Sequence, residues 1–460
     1  MGYANLSLQQ LQTIDSQHHL HPFTDHKDLR ASGTRVITRA EGPYIYDSEG
    51  AEILDGMAGL WCVNLGYGRE ELVEAAAAQM RELPFYNSFF RCTTPAPILL
   101  AEKLAELAPE GVDQVMFASS GSESNDAAVR LVRRYWAIEG QPEKQVIISR
   151  KGAYHGSSIA GASLGGMKGM HGQLGGGIPG IVHVMPPDSF ELKEAGESDE
   201  AFGLRAARAV EEAILEAGPE KVAAFIGEPI MGAGGVRIPP ASYWPEVQRI
   251  CRQYDVLLMI DEVITGFGRT GNWFACETYG IQPDTITTAK ALTSGYQPLS
   301  ALLVGDRIAE ALVERGGEFY HGYTYAGHPV ACAVALKNLE LIEREGLVKR
   351  VRDVTGPYLQ AALAERIGPH PLIGETRACG LIAAVEIVAD KAAKTRFPEE
   401  LHAGDKVRDA CIAAGLMVRS VDDTIVLSPP LIWGEAEIDL CVDRLASALD
   451  TAAASLPGAA

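Results

Sequence analysis

Between residues 66 and 305, short apolar runs alternate with stretches of helical periodicity. Seven of the runs predict strands, at 115–117, 146–148, 181–184, 222–226, 256–260, 285–288 and 301–304. They are rich in Val and Ile, apolar at consecutive positions, and bounded by Gly, Pro, Ser or Asp. Strands read this way when helices cover both faces of their sheet. Between them, Ile98, Leu99, Ala101, Leu104 and Leu107 predict one helical stripe. Leu204, Ala207, Val210, Ile214 and Ala217 predict another, closed by Gly218. The alternation predicts an α/β fold with a mostly parallel, doubly wound sheet of about seven strands.

The flanks follow a different pattern. Segments 36–39, 44–46 and 52–54 predict a small meander turning at Asp47-Ser48-Glu49-Gly50. Near the other end, 381–388 and 424–427 read as strands and 435–449 as a final helix. Both ends are expected to build one smaller α+β domain, which divides the chain into 1–65 (N-terminal part of the small domain), 66–330 (large domain) and 331–460 (C-terminal part of the small domain). The segment after Asp450 is expected to fray, and the Gly-rich stretch 161–180 to form a mobile loop. No internal repeat is present.

Composition narrows the function classes. With 460 residues, 47 % apolar and 22 % charged, the chain is neither disordered, coiled-coil nor collagen-like. Its 40 Lys and Arg against 60 Asp and Glu leave a net charge of −20, which repels a phosphate backbone, so no nucleic-acid partner is expected. The nearest two of the eight cysteines, Cys251 and Cys276, are 25 residues apart, so no C-x-x-C metal or redox motif exists. Buried thiols in a reducing compartment are expected. The N-terminal residues lack the apolar core of a secretory leader, and no apolar run approaches the ~20 residues that span a bilayer. The expectation is a cytoplasmic protein with no membrane partner.

In open parallel sheets, ligands sit beyond the carboxyl ends of the strands, and four predicted ends carry polar groups. After the 115–117 strand, Ser119-Ser120-Gly121-Ser122 opens a helix, offering free N–H groups and a positive dipole end suited to a phosphate. An ordinary Ser cap reads the same way. Asp261 follows five apolar residues and needs a partner if buried. Lys290 stands at another strand end, where a free ammonium is costly. Glu228 follows a third strand. Singly, each reads as a strand-end charge reaching solvent. Together they match the three anchors of pyridoxal 5′-phosphate: Lys290 to form a Schiff base with the aldehyde, Asp261 to keep the pyridine nitrogen protonated, and Gly121 with Ser122 to hold the phosphate. Tyr154 and His155 follow the 146–148 strand and are placed to stack on the ring.

The runs LLMIDEVITGFGRTG and PDTITTAKALTSG, with the lysine 29 residues after Asp261, resemble the signature of class III, fold-type I aminotransferases. SSGSESND, AYHG, GEPIMGAGG and HGYTYAGHP occur in the matching order. The likeness covers nearly the whole chain and lies nearest to the omega-amino-acid and amine:pyruvate transaminases, including putrescine and polyamine members. It implies ping-pong transfer of an amino group to pyruvate or a related keto acid. It implies Glu228 beside the cofactor's 3-hydroxyl, Val263 on one ring face and Tyr154 on the other. Thr324 is implied to reach the phosphate of the neighbouring subunit's cofactor in a homodimer, with dimers free to pair into tetramers. Trp61, Phe89 and Tyr154 are implied to line the substrate pocket, Phe89 being open to contribution from the partner subunit. Arg419 is implied to clamp a substrate carboxylate and swing aside for amines. Core packing is the alternative reading for Trp61 and Phe89.

One position departs from the family pattern: Ala291 follows the lysine where many relatives carry Gly or Gln, and it is expected to trim the pocket or tighten the lysine loop. Other class III reactions remain alternatives: a GABA-type transfer to 2-oxoglutarate, a diaminopelargonate-type transfer, or an aminomutase. Ser163, in Gly161-Ala162-Ser163-Leu164-Gly165, matches a serine-hydrolase elbow without the apolar strand that must precede it. His18, His19, His21 and His26 lack acidic partners at ligand spacing in this reading, so a surface or interface role is expected and no metal. The stretch 161–180 contains no nucleotide P-loop.

Overall fold

The computed structural model describes residues 6–457. The seven predicted strands form one sheet: β4 (Val112–Ala118), β5 (Val146–Arg150), β6 (Ile181–Val184), β7 (Val222–Gly227), β8 (Leu257–Asp261), β9 (Thr285–Thr288) and β10 (Ser300–Gly305). Their spatial order is β4-β10-β9-β8-β7-β5-β6, with β10 antiparallel to both neighbours and the other pairs parallel. Every residue of β7, β8 and β10 is buried, as runs apolar on both faces require. Helices Gly121–Ile138, Asp199–Ala217 and Tyr243–Gln253 pack their apolar stripes against the sheet. Ser198 starts the second of these by accepting the Ala201 N–H at 3.1 Å, and Gly218 ends it at φ +89°, a conformation glycine adopts without strain.

The meander is present as β1 (Ile37–Glu41), β2 (Tyr44–Asp47) and β3 (Glu52–Asp55). The later strands are β11 (Ile373–Cys379), β12 (Ile382–Ile387), β13 (Leu416–Met417), β14 (Arg419–Val421) and β15 (Thr424–Leu427). The two ends of the chain are joined covalently far apart and structurally side by side: β13 pairs in parallel with β3, setting Leu416 opposite Leu54. β1-β2-β3-β13 is thus a second sheet, and a third runs β11-β12-β15-β14, all antiparallel. The division placed at 330/331 falls in the first turn of the helix Pro329–Arg344, and that at 65/66 in the loop before Glu70–Glu82.

Two expectations are corrected. The 161–180 stretch is not one loop: helices Ile159–Leu164 and Lys168–Leu174 occupy most of it, because Ser158 caps the first by accepting the Gly161 N–H at 3.1 Å. The last helix does not fray at Asp450 but runs Glu435–Ala453, and Leu456 beyond it is buried against the core. Residues 458–460 of that tail, like 1–5, lie outside the described residues. The sheet is mostly parallel, as expected; its one reversed strand, β10, returns directly from the β9 end rather than through a crossover helix. Among the described residues no helix is long and apolar enough to cross a membrane.

Leu54 is fully buried between the two chain ends. Leu54→Ala should destabilise the protein by ~2–5 kcal/mol through lost transfer and the cavity left behind, read as a lower urea midpoint. An unchanged midpoint would show that the termini are not joined through this contact.

Candidate active site

Because β9, β8 and β7 are adjacent and parallel, their carboxyl ends bring Lys290, Asp261 and Glu228 to one rim, with Tyr154 and His155 arriving from β5. Asp261, the last residue of β8, is buried. Its Oδ2 accepts from His155 Nδ1 at 2.8 Å and from Asn125 Nδ2 at 2.8 Å, and its Oδ1 accepts from the Val263 N–H at 3.1 Å. Burial alone would raise its pKa; the His155 hydrogen bond and charge, the Asn125 amide and the Val263 N–H outweigh that and hold it below the ordinary carboxylate value. Asn125 is fixed in turn. Its Nδ2 also donates to the His155 carbonyl at 2.8 Å, and its Oδ1 accepts from Thr287 Oγ1 at 2.8 Å.

Lys290 opens a single 3₁₀ turn after β9, at φ +45°, a left-handed conformation unusual for a side chain of its size. Burial pushes its ammonium below the usual lysine range, against the opposing pull of Cys62, Asp261 and Glu228. Glu228 accepts from the Tyr154 N–H at 3.2 Å and the Gly232 N–H at 2.9 Å, and burial raises its pKa. Trp61 is buried and turns a ring face to the two cations: Lys290 Nζ lies over the ring 5.8 Å from its centre and Arg419 Cζ 5.0 Å. Burial lowers the Arg419 pKa.

A cavity of about 410 Å³, within the roughly 300–1,000 Å³ range of small-molecule sites, is lined by Lys290, Asp261, Glu228, Tyr154 and His155, while Trp61 and Arg419 stand outside its lining. Ser119, Ser120, Gly121, Ser122 and Asn125 also line it. Ser120 caps the helix Gly121–Ile138 by accepting the Glu123 N–H at 3.3 Å, and Ser122 Oγ accepts the Ser157 N–H at 3.0 Å. The first-turn amides of Gly121 and Ser122 have no intrahelical acceptor, so this end suits an anion. The fit to pyridoxal 5′-phosphate is tested by the glycines. A Cβ on Gly121 would come within 2.9 Å of Val263, and one on Gly156, at φ +128°, within 2.8 Å of the Ser122 backbone. The cup is closed to any larger residue. An ammonium, an ionised carboxylate and a helix N-terminus in one cavity match the aldehyde, pyridinium and phosphate of that cofactor.

The remaining expected residues fall elsewhere. Thr324 is exposed and does not line this cavity. Phe89 packs on the same loop, its ring 3.0 Å from where a Cβ on Gly322 would stand. Ala291 does not trim the pocket: its methyl is buried in the main core, while its carbonyl accepts from Asn338 Nδ2 at 2.9 Å. Ser163 lies inside a helix, donating to the Ile159 carbonyl at 2.6 Å and accepting the Ile178 N–H at 2.8 Å, so its hydroxyl is committed to backbone. The histidines near the N-terminus do have an acidic partner, since Asp15 contacts both His19 and His21. Two contributors escaped the sequence reading. Asn125 stands four residues after Gly121 and so on the same helix face, a spacing that could have revealed it. Thr287 lies inside a buried strand and carried no signal.

The fold and this site define a cofactor-dependent enzyme of the amino-group-transfer type, and the chain belongs to the class III aminotransferases, whose family pattern matches residues 28–449. Enzymes of this class use pyridoxal 5′-phosphate. The chain is 51 % identical over 453 residues to a putrescine–pyruvate aminotransferase of Pseudomonas aeruginosa, covering 98 % of each. It is 42 % identical to a diaminobutyrate–2-oxoglutarate transaminase of Halomonas elongata, over 95 % of this chain and 94 % of that one. Among solved structures, an (S)-enantioselective omega-transaminase from Thermomicrobium roseum superposes with a TM-score of 0.94 at 45 % identity, covering 97 % and 99 % of the two chains. The omega-transaminase of Pseudomonas jessenii in complex with PMP gives 0.95 at 42 % identity, with the same coverage.

Asn125→Ala should lower kcat by about tenfold or more while leaving the fold intact, because a charge-assisted hydrogen bond worth ~1.5–3 kcal/mol is lost from Asp261. Steady-state kinetics beside circular dichroism checks this. A second prediction concerns Glu262, whose carboxyl is raised from 4.5 to about 7, chiefly by burial. Between those two pH values the folded state binds more protons than the unfolded one, so stability should fall as pH rises through that window, by an amount on the order of 3 kcal/mol. Glu262→Gln should flatten that dependence in urea titrations; an unchanged profile would remove Glu262 as its source.

Proposed function

We propose that this chain transfers an amino group from a primary amine, diamine or omega-amino acid to pyruvate by a ping-pong reaction dependent on pyridoxal 5′-phosphate. The carrying observation is the cavity in which Lys290, the ionised Asp261 and the Gly121–Ser122 amides converge. When bound, the cofactor supplies an aldehyde carbon that carries the amino group and a ring that accepts the electron pair left when the donor C–H bond breaks.

The chain's own groups divide the work. Gly121 and Ser122 N–H, with the Ser120 hydroxyl, would hold the phosphate at the helix N-terminus. Asp261, kept ionised by His155 and Asn125, would retain the proton on the pyridine nitrogen. Val263 and Tyr154 would pack on the two ring faces, and Glu228 would lie beside the 3-hydroxyl. Lys290 Nζ would hold the aldehyde carbon at rest and, once free, move the proton from the donor carbon. Its lowered pKa enlarges the fraction of neutral amine able to do so. Arg419, which forms no ion pair among the described residues, would take the carboxylate of pyruvate, with Trp61, Phe89 and Tyr154 bounding the substrate.

A homodimer is part of this proposal. Phe90 and Tyr320 expose 90 % and 78 % of their surface, and Thr324 is exposed outside its own chain's cavity, where it is free to reach the partner's cofactor. Eight free cysteines support a reducing compartment. The transfer to pyruvate is favoured over 2-oxoglutarate by the 51 % identity to a putrescine–pyruvate enzyme.

Purified holoenzyme should turn over putrescine with pyruvate far faster than with 2-oxoglutarate, and the reverse preference would overturn the acceptor assignment. Lys290→Ala should abolish turnover while still retaining cofactor through the phosphate cup, seen as cofactor absorbance comigrating with protein. Arg419→Ala should lower kcat/KM for pyruvate by about tenfold or more, the value of a charged hydrogen bond of ~1.5–3 kcal/mol. It should spare simple amine donors, and equal losses on both would remove the clamp.

A further inference from the structure

The chain opens with an N-terminal hairpin of two helices, Leu8–His18 and His26–Ser32. We propose that Asp15, His19 and His21 in this hairpin form a binding site for one divalent ion of the zinc class, held by a carboxylate oxygen and two imidazole nitrogens.

The geometry follows from the chain path. Asp15 and His19 are four residues apart across the end of the first helix, so their side chains share a face. His19 itself leaves the helix in an extended conformation, and its N–H closes the last turn on the Asp15 carbonyl at 2.9 Å. The chain then turns back, which brings a second imidazole to the same carboxylate. His19 Nδ1 lies 3.0 Å from Asp15 Oδ1, and His21 Nε2 lies 2.9 Å from each carboxylate oxygen. The two imidazole centres are 4.2 Å apart, and one donor atom from each of the three residues lies within 4.8 Å of the others.

Zinc takes nitrogen and oxygen ligands at about 2.0–2.2 Å in tetrahedral sites, which places neighbouring donors about 3.4 Å apart. The present separations of 2.9–3.0 Å need open by only a few tenths of an ångström. Two imidazoles and one carboxylate suit zinc, cobalt or nickel better than the hard, all-oxygen ions. The ligands are also prepared. Thr34 Oγ1 donates to Asp15 Oδ2 and fixes the carboxylate from the far side, while Gln12 Nε2 holds the Thr34 carbonyl at 2.9 Å. The Thr34 hydroxyl first, and then His21, keep the Asp15 carboxyl down at about 2, so it is ionised at neutral pH. The His19 side chain is 60 % exposed, leaving room for entry and for water to complete the shell.

The site has a neighbour of consequence. Phe23, two residues past His21, holds a left-handed backbone at φ +49° and sets its ring edge-on to Tyr154 with centres 6.4 Å apart. An ion joining both sides of the turn would stiffen the segment that carries Phe23 to the rim of the cofactor cavity. On binding, each imidazole would offer the lone pair of the nitrogen now facing Asp15 and carry its single proton on the other ring nitrogen.

The test uses tag-free, cofactor-loaded protein. Equilibrium dialysis against zinc chloride, with metal analysis, is run on the native chain and on His19→Asn, His21→Ala and the distant control His402→Asn. One equivalent should bind natively and in the control, and weaken about tenfold or more in the two site variants. Cobalt chloride should give a visible d–d absorption that those variants lose, a signal that metal held by the cofactor would leave unchanged. His19 is exposed, so its replacement keeps the hairpin folded and the result readable. Identical zinc binding in all four proteins, or none natively at submillimolar zinc, would overturn the site and leave the three residues as a hydrogen-bonded helix end. Neither result bears on the amino-transfer reading.

Discussion

A carboxylate taken out of water must be neutralised or surrounded by donors, and the organisation of this protein depends on how Asp261 meets that constraint. Desolvation costs several kcal/mol. Three donors answer it: a histidine ring, an asparagine amide and a backbone N–H. At ~1.5–3 kcal/mol for each bond to a charged group, they are together of the size required. None of the three comes from β8 before Asp261. His155 arrives from the loop after β5, Asn125 from the helix that opens at the anion cup, and Thr287 of β9 locks the Asn125 amide. One ionised oxygen therefore ties two strands, a helix and a loop into a single rim. Asn125 stands one turn beyond Gly121, so the hydrogen bond that keeps the carboxylate charged also sets the distance between that carboxylate and the phosphate end of the cavity.

Glu262, the next residue along the chain, shows the outcome when burial outweighs the donors. Successive side chains at a strand end point to opposite sides, so Asp261 faces the cavity and Glu262 faces the interior, against Thr265 and the Cys276 N–H. Both are buried. The first is held below the ordinary carboxylate value and the second rises to about 7. Two adjacent carboxyls are thus driven in opposite directions by their surroundings, and the one kept charged is the one that faces the cavity.

Much of this was legible in the sequence because the physics is local. β7 and β8 are continuous apolar runs, and such runs announce strands covered on both faces. Asp261 and Glu228 were legible for the same reason, and Lys290 from the Thr- and Ile-built strand before it: a charge just after a buried strand stands at its end, and parallel strands place their ends on one side. What was not legible depended on contacts across the fold. The reversal of β10 left no mark, since an antiparallel strand buried on both faces has the same composition as a parallel one. Thr287 is one of several threonines in a buried strand, and only the arrival of Asn125 from a helix 162 residues earlier gives it a role. The 161–180 stretch misled through its glycines, whose flexibility is outweighed by the Ser158 cap and by Ser163 bonding across the segment. Asp15 was legible in principle, four residues before His19, but a histidine cluster read without its preceding helix turn looks unpaired.

The lysine loop shows how rigidity and mobility are separated within a few residues. Lys290 and Ser294 are both left-handed, at φ +45° and +48°, and Trp61 across the cavity sits at +59°. Non-glycine residues hold such conformations only when packing over-determines them. Here Asn338 supplies the restraint, donating to the Ala291 and Leu292 carbonyls and accepting from Ser294 Oγ, which in turn accepts the Leu65 N–H. The Ala291 methyl, buried in the core, adds to the same restraint. The backbone of the turn is thereby fixed from three directions. The Lys290 side chain beyond it makes no hydrogen bond among the described residues and lies over the Trp61 ring. A nucleophilic amine that must hold a group, release it and carry a proton needs such a division: an immobile Cα, so that each position of Nζ is reproducible, and a side chain with no strong contact to break when it moves.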